Sequence, residues 1–231
     1  METISRKIQE VSGRIARACA AAGRAVPSVT LLAVSKSQSA DAVRAALAAG
    51  QHRFGENYVQ EGLAKIAALA EQRAQIEWHY IGALQSNKAG AVAQAFDWVH
   101  SVDRLKIAER LSQQRAAAAS PLQVCLQVNV SGEASKAGVA PADLLALAHA
   151  VAALPGLKLR GLMSIPEPAT GEAAQRVAHR ALRLMLERLN AEGLALDTLS
   201  MGMSDDLEAA VMEGSTLLRV GTAIFGARLR A

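Results

Sequence analysis

The feature that most constrains this chain is a regular alternation of short β-forming runs with longer Ala/Leu-rich runs. The β-forming runs read VTLLAVSK, HRFG, EWHYIG, DWVHSVD, LQVCLQVNV, LKLRGLMSIP, TLSMG and TLLRVG. Between them, helical patterns begin near Ser39, Glu56, Ser86, Asp103, Pro141, Gly171 and Asp205. Strict alternation implies parallel strands joined by right-handed crossovers. Eight such units in a chain of 231 residues predict an α/β fold, a single closed (β/α)8 TIM barrel.

A helix is predicted before the first strand. Spacings of four and three residues mark one stripe of an amphipathic helix, formed by Ile4, Ile8, Val11 and Ile15. The alternative to a barrel is an open doubly wound sheet, which is disfavoured because no strand is followed by a GxGxxG turn. No linker, low-complexity tract or repeat divides the chain, so residues 1–231 are expected to form one domain.

Composition argues against several classes of protein. The net charge of +4 is modest and basic residues are interleaved with glutamates, so nucleic acid is not an expected partner. No run of about 18 apolar residues predicts a membrane span, and charges are scattered through the N-terminus, so a cytoplasmic protein without a membrane partner is expected. Cys19 and Cys125 are too few for a disulfide framework or a zinc site, and both are expected to be reduced.

Small and polar residues gather at the C-terminal ends of the predicted strands. These ends form the rim of a barrel at which function is usually located. The set comprises Ser35, Lys36, Glu56, Asn57, Gly82, Ser101, Asp103, Asn129, Ser164, Ser200, Ser204, Arg219, Gly221 and Thr222. Because these side chains converge around a single lysine, they predict a pocket for a polar ligand.

The ends of the seventh and eighth strands predict a phosphate site. Barrel phosphate sites are often built from these two loops, where glycines let the backbone approach the anion. SMGMSDD and VGTAIFG fit that description. Asp205 and Glu208 resemble an acidic capping box, which leaves the Ser204 hydroxyl for a ligand, whereas in the alternative Ser204 itself caps the helix. Asp205 and Asp206 are expected to point away from the pocket.

Lys36 ends the LLAVSK run at the rim of the predicted barrel. A lysine amine beside a separately anchored phosphate is what a Schiff base with pyridoxal 5′-phosphate (PLP) requires. Arg219, near the end of the eighth strand, can face the pyridine nitrogen and keep it unprotonated, which favours holding the cofactor over carbanion chemistry. The alternatives are a solvated rim lysine for Lys36 and an ordinary salt bridge, for example to Asp103, for Arg219.

Several of these segments together resemble one known family. LLAVSK, FGENYVQE, EWHYIGALQSNKA, VHSVDRLKIA, VNVSGEASKAG, GLMSIP and LSMGMSDDLEAAVMEGSTLLRVGTAIFGAR look like the pyridoxal phosphate homeostasis proteins, which are similar to the barrel domain of alanine racemases and belong to fold-type III. The resemblance extends from about residue 30 to residue 228. Two departures are small: relatives often carry His or Pro at the position of Ala83, and Phe at that of Tyr80.

The resemblance implies a set of cofactor contacts. Lys36 would carry PLP covalently and Arg219 would face the pyridine nitrogen, with phosphate contacts from the loops after the seventh and eighth strands. Asn57 and His79 would lie near the cofactor ring. The predicted cofactor-binding residues are Lys36, Asn57, His79, Ser200, Ser204, Arg219, Gly221 and Thr222.

The resemblance also implies a role in intracellular PLP (vitamin B6) homeostasis without robust catalysis, in a monomer whose partners are PLP and PLP-dependent apo-enzymes. A racemase needs bases on both faces of the substrate carbon. Alanine racemases take the second base from a further β-domain and a partner subunit, and no such domain is expected here. Two alternatives stay open: a PLP-dependent racemase or lyase with Tyr58, Tyr80 or His79 opposite the lysine, and a PLP-independent isomerase of a phosphorylated sugar.

Overall fold

The computed structural model of the chain describes residues 3–115, 120–132 and 137–226. Eight parallel strands close into a barrel, in which β1 pairs with both β2 and β8. The strands are β1 Thr30–Val34, β2 Arg53–Glu56, β3 Glu77–Tyr80, β4 Trp98–Val102, β5 Leu122–Gln127, β6 Leu157–Met163, β7 Thr198–Ser200 and β8 Leu217–Val220. The predicted TIM barrel is confirmed, while residues 133–136 of the VNVSGEASKAG motif and the 227–231 tail lie outside the described residues.

Helices alternate with the strands around the barrel. They are α1 Ile4–Ala21, α2 Ala40–Ala48, α3 Val59–Ala68, α4 Ala89–Ala95, α5 Leu105–Arg115, α6 Leu144–Ala152, α7 Glu172–Ala191, α8 Leu207–Met212 and α9 Thr222–Phe225. The helix start predicted near Glu56 is too early, because Glu56 is the last residue of β2. The four-residue α9 was not predicted, since so short a helix leaves no periodic pattern. No helix in the described ranges combines the length and hydropathy that a membrane span requires.

The predicted N-terminal helix α1 packs its apolar stripe against the rest of the molecule. Three stripe residues are buried and the fourth is partly buried, in the order Ile8, Val11, Ile15 and Ile4. Arg14 on the same helix makes two hydrogen bonds of 2.8 Å to the carboxylate of Glu208 on α8. A bidentate pair of an arginine and a carboxylate adds geometric specificity as well as energy. Helix α1 therefore anchors α8, the helix that follows the predicted phosphate loop after β7.

The barrel interior mixes apolar and polar side chains, unlike the core outside it. Between the strands and the helices lies the main apolar cluster, with Phe54, Trp78 and Phe96 fully buried. Side chains alternate between the two faces of a strand, so the small clusters Leu32, Val34, Ile81, Leu217 and Trp98, Cys125, Met163 fall inside the barrel. Buried polar side chains share that interior, among them His79, His100, Ser200 and Arg219. Both cysteines are buried and free, as predicted.

Candidate functional site

The turn that follows β1 presents Lys36. Ser35 is fully buried, Lys36 is half-buried, and the Gln38 N–H donates to the Ser35 carbonyl at 3.0 Å. Ser37 has a φ of 60° and is the only non-glycine residue with positive φ in the described chain. A serine in this region costs about 1–3 kcal/mol and persists only where its surroundings impose it. The position of Lys36 is therefore set by contacts from neighbouring elements.

A buried group of charges, which we refer to as the Lys65 cluster, supplies those contacts through Lys65, Glu56, Glu61 and Ser35. Lys65 Nζ donates to Glu56 Oε1 at 2.8 Å and to Glu61 Oε1 at 2.6 Å. It also donates to the Ser35 carbonyl, while Glu61 accepts the Ser37 N–H. Burial raises the pKa of Glu56, and the charge of Lys65 opposes that rise. The cluster ties α3 and the end of β2 to the turn that carries Lys36.

Asn57 follows β2 at the same rim. The loop after β3 crosses it closely, because a Cβ on Gly82 would lie 2.0 Å from the Asn57 carbonyl oxygen, so that only glycine fits. The Tyr80 hydroxyl donates to the carbonyls of Asn57 and Ala83 at 3.2 and 3.0 Å. Burial raises the pKa of Tyr80 to about 12. The two positions that depart from the family pattern thus contact each other, and Asn57 Oδ1 is buried with no hydrogen-bond partner among the described residues.

Arg219 lies inside the barrel, 4% exposed, near the ends of β6 and β7. One guanidinium nitrogen, Nη1, donates to the Ser200 carbonyl and, at 2.8 Å, to Ser200 Oγ. The other, Nη2, donates to the Ser164 carbonyl at 2.8 Å. Burial lowers the pKa of Arg219 to about 10, so it stays cationic at neutral pH. The alternative salt bridge is not formed, because Asp103 pairs with its neighbour Arg104 at 2.8 Å.

The loops after β7 and β8 lie beside Arg219, whose backbone N–H donates to the Gly202 carbonyl at 3.0 Å. Gly202 has a φ of 92°, a conformation that favours glycine. Gly221 lies against β1, since a Cβ there would be 3.0 Å from the Val34 carbonyl oxygen. Thr222 is exposed and begins α9 directly after that contact. Both predicted phosphate loops therefore reach the rim on which Lys36 lies.

Helix α8 begins differently from the sequence prediction. Its N-cap is Asp206 rather than Asp205, and no side chain caps it, so the predicted acidic capping box is wrong. The carboxylate of Asp206 instead accepts the Met203 N–H at 2.6 Å and lies 3.0 Å from His179 Nε2. Ser204 does not cap the helix either. The reason is that contacts with α7 hold Asp206, a longer-range effect that local sequence does not reveal.

His79 lies inside the barrel rather than at the rim. Its Nε2 is 2.9 Å from Glu77 Oε1, and its Nδ1 is 2.9 Å from His100 Nε2. His100 Nδ1 in turn lies 2.8 Å from Ser200 Oγ. His79 therefore connects to Arg219 only through two other side chains. Sequence reasoning missed His100, because a single histidine within an apolar strand gives no signal of its partners.

Known proteins provide close relatives along almost the whole chain. The family model for the alanine racemase N-terminal domain matches residues 12–229. The pyridoxal phosphate homeostasis protein of Pseudomonas aeruginosa is 61% identical over 228 residues, covering 99% of this chain and 97% of its own. The protein of the same name from Escherichia coli strain K12 is 49% identical over 229 residues, covering 99% and 98%.

Solved structures share the same architecture. PipY of Synechococcus elongatus, solved with PLP bound, has a TM-score of 0.85 and 39% identity, covering 96% of this chain and 100% of that chain. The structure described as an unknown protein from Bifidobacterium adolescentis has a TM-score of 0.90 and 39% identity, covering 96% of this chain and 94% of that chain. Alanine racemase from Corynebacterium glutamicum, at 16% identity and a TM-score of 0.66, shares the fold over 96% of this chain and 62% of its own.

Proposed function

We propose that this chain, which belongs to the pyridoxal phosphate homeostasis protein family, binds PLP and acts in intracellular PLP homeostasis. Residues 1–231 form one PLP-binding domain in this proposal, and Lys36 carries the cofactor covalently. The observation that carries the proposal is a lysine on an imposed turn at the rim that also holds Gly221 and Arg219. The PLP-bound structure of PipY, 39% identical, supports it.

The polar groups at the rim fit such a cofactor. A guanidinium has five N–H donors, and Arg219 uses three hydrogen bonds on Ser200 and Ser164, so donors remain for a ring nitrogen. Ser164 Oγ and Asn57 Oδ1 are buried with no hydrogen-bond partner among the described residues. Buried polar atoms are rarely left unpaired in proteins, so both atoms favour a ligand with polar substituents here.

When bound, PLP supplies an aldehyde that condenses with an amine and a ring that withdraws electrons. In our proposal Lys36 provides the amine, and Arg219 donates to the ring nitrogen. Asn57 and Ser200 contact ring substituents. The phosphate is held by the Ser204 hydroxyl and by the loop of Gly221 and Thr222. His79 acts indirectly, through His100 and Ser200.

Two of the three candidate second bases, Tyr80 and His79, favour binding over racemisation. The Tyr80 hydroxyl donates to two carbonyls, and its pKa of about 12 makes it a poor base at neutral pH. His79 is occupied by Glu77 and His100 within the barrel. A cationic Arg219 at the ring nitrogen would also weaken electron withdrawal by the ring. We therefore propose that the protein holds and releases PLP as a cytoplasmic monomer, with PLP-dependent apo-enzymes as recipients.

Substitution of the lysine tests this proposal. Lys36→Ala should fold, because the Lys65 cluster holds the turn without the Lys36 amine. It should bind PLP weakly, through phosphate and ring contacts, and lose the near-visible absorption band of covalently held cofactor. Lys88→Ala is the matched control, since Lys88 is half-buried near the same rim and should keep that band.

Borohydride reduction followed by peptide mapping identifies the modified residue, and thermal melting checks the fold. Modification of a lysine other than Lys36 would contradict the covalent assignment. Wild-type protein that takes up no PLP would contradict the proposed function itself. Loss of soluble Lys36→Ala protein would assign the lysine a structural role.

A further inference from the structure

Five polar side chains form a continuous hydrogen-bonded chain through the barrel, which we refer to as the interior relay. It runs from Glu77, at the start of β3, through His79, His100 and Ser200 to Arg219. Consecutive polar atoms lie 2.9, 2.9, 2.8 and 2.8 Å apart in that order. Glu77 belongs to the N-terminal end of the barrel, whereas Arg219 faces the C-terminal mouth. The relay therefore connects the two ends through the core.

When both imidazoles are neutral, the chemistry of the two ends fixes the direction of each hydrogen bond. A guanidinium only donates and a carboxylate only accepts. Arg219 therefore donates to Ser200 Oγ, and the Ser200 hydroxyl is left to donate to His100 Nδ1. His100 then carries its proton on Nε2 and donates to His79 Nδ1. His79 likewise carries its proton on Nε2 and donates to Glu77, so both imidazoles are in the same tautomer.

The surroundings of the two histidines keep them neutral. Burial lowers the pKa of His79, and this effect outweighs the hydrogen bond to Glu77, which raises the pKa. Burial also lowers the pKa of His100 well below its usual value, and the charge of Arg219 lowers it further. Trp98 stacks on His79 with ring centroids 5.3 Å apart and an angle of 11° between the planes. From His79 to Arg219 the relay is thus buried, an environment in which its hydrogen bonds are strong.

We propose that Glu77, His79 and His100 are positioning residues for Arg219 and act through the Ser200 hydroxyl. That hydroxyl can rotate, and Arg219 needs its lone pair rather than its hydrogen. His100 Nδ1 accepts the hydrogen and so turns the lone pair toward the guanidinium, which then faces the mouth in one orientation. The inference rests on the proposed function, because it takes Arg219 to be the group that meets the ring nitrogen.

The Glu77 end of the relay is exposed to solvent. Glu77 Oε1 also accepts a hydrogen bond from Arg53 Nε at 3.1 Å, and the two side chains are 40% and 49% exposed. Both line a cleft of about 370 Å³ at the N-terminal end of the barrel, together with Arg160 and Asp197. A change at this end can therefore reach Arg219 without touching the cofactor.

Three variants at the N-terminal end isolate the relay. Glu77→Leu removes the terminal acceptor, Glu77→Gln keeps an oxygen that accepts from His79, and Asp197→Leu breaks an ion pair with Arg160 that lines the same cleft but lies outside the relay. We expect Glu77→Leu to weaken PLP binding roughly threefold to tenfold and to shift the absorption maximum of the bound cofactor. Glu77→Gln should restore both within about twofold, and Asp197→Leu should change neither.

Nitrogen NMR of the histidine rings in cofactor-free wild-type protein tests the relay without any variant. His79 and His100 should both be neutral with the proton on Nε2, and Glu77→Leu should populate the other tautomer. A proton on Nδ1 of either ring in wild type would overturn the inference, as would equal effects of Glu77→Leu and Asp197→Leu on PLP affinity. Failure of the proposed function would appear separately, as wild-type protein that binds no PLP.

Discussion

Two buried cations serve the mouth of the barrel in different ways. Lys65 is 5% exposed and donates to two carboxylates, those of Glu56 and Glu61. Arg219 is 4% exposed and donates to two carbonyls and the Ser200 hydroxyl, which are all neutral. The charge of Lys65 is therefore neutralised by two neighbouring carboxylates. The charge of Arg219 is solvated only by neutral oxygen atoms, so it stays available to an anionic or hydrogen-bond-accepting ligand.

We infer from this difference that Lys65 supports the fold, whereas Arg219 serves the proposed cofactor. Removing one member of a buried ion pair is strongly destabilising, because it leaves the charge of the other member uncompensated. A cation among neutral oxygen atoms leaves no opposite charge behind when it is removed. Substitution by methionine should therefore reduce stability more at Lys65 and PLP affinity more at Arg219.

The largest expected effect is the loss of stability in Lys65→Met. The change leaves the buried Glu56 carboxylate without its cation and should lower the free energy of unfolding by about 3–5 kcal/mol. Urea unfolding measures it. Adding Glu56→Gln should recover part of the loss, because the uncompensated charge is then removed. A loss below about 1 kcal/mol would place Lys65 among ordinary surface ion pairs and break the comparison.

Arg219→Met should show the reverse ranking. It leaves the carbonyls of Ser200 and Ser164 with fewer partners, so the free energy of unfolding should fall by only about 1–3 kcal/mol. PLP affinity should fall roughly tenfold to a hundredfold, because a hydrogen bond from a charged donor contributes about 1.5–3 kcal/mol. Titration of the cofactor-free variant with PLP measures the affinity. An unchanged dissociation constant would remove Arg219 from the cofactor site.

The sequence predicted the parts of this comparison that depend on strand ends. The eight strand runs, Lys36 after the first, and Arg219 with Gly221 at the last are local features, and the barrel geometry brings them to one rim without further information. The fold and the family assignment were confirmed for that reason. The roles of the individual site residues stay predictions until the cofactor is titrated.

The parts that depend on contacts between elements were not predictable. Glu61 and Lys65 form a visible i, i+4 pair on α3, but nothing in the sequence places Glu56 beside them or requires the positive φ of Ser37. The interior relay joins side chains from four strands whose register only the closed barrel defines. Sequence patterns report which face a residue occupies, and not which partner it meets there.

The smallest expected effect separates two carboxyls, the buried Glu56 and the partly exposed Glu77, by the sign of their pH dependence. Burial raises the pKa of Glu56 above its ordinary 4.5, so its contribution to stability is present in acid and is lost as pH rises through the folded-state pKa. For Glu77, burial is outweighed by the hydrogen bond from His79 and the charge of Arg53, which lower its pKa from 4.5 to about 2. Its contribution is present above 4.5 and is lost as pH falls toward 2.

Glu56→Gln and Glu77→Gln should therefore diverge in opposite directions when urea unfolding is repeated across pH. Relative to wild type, Glu56→Gln should gain stability as pH rises from acid toward neutrality, because wild type alone must ionise a buried carboxyl. Glu77→Gln should gain relative stability as pH falls, because wild type alone loses an ionised, hydrogen-bonded one. The Glu77 difference should stay within about 0.2–1 kcal/mol, since that side chain is partly exposed and screened by solvent. Parallel pH profiles for the two variants would show that the carboxyls share one environment, and the two ends of the barrel would then not differ in how they hold charge.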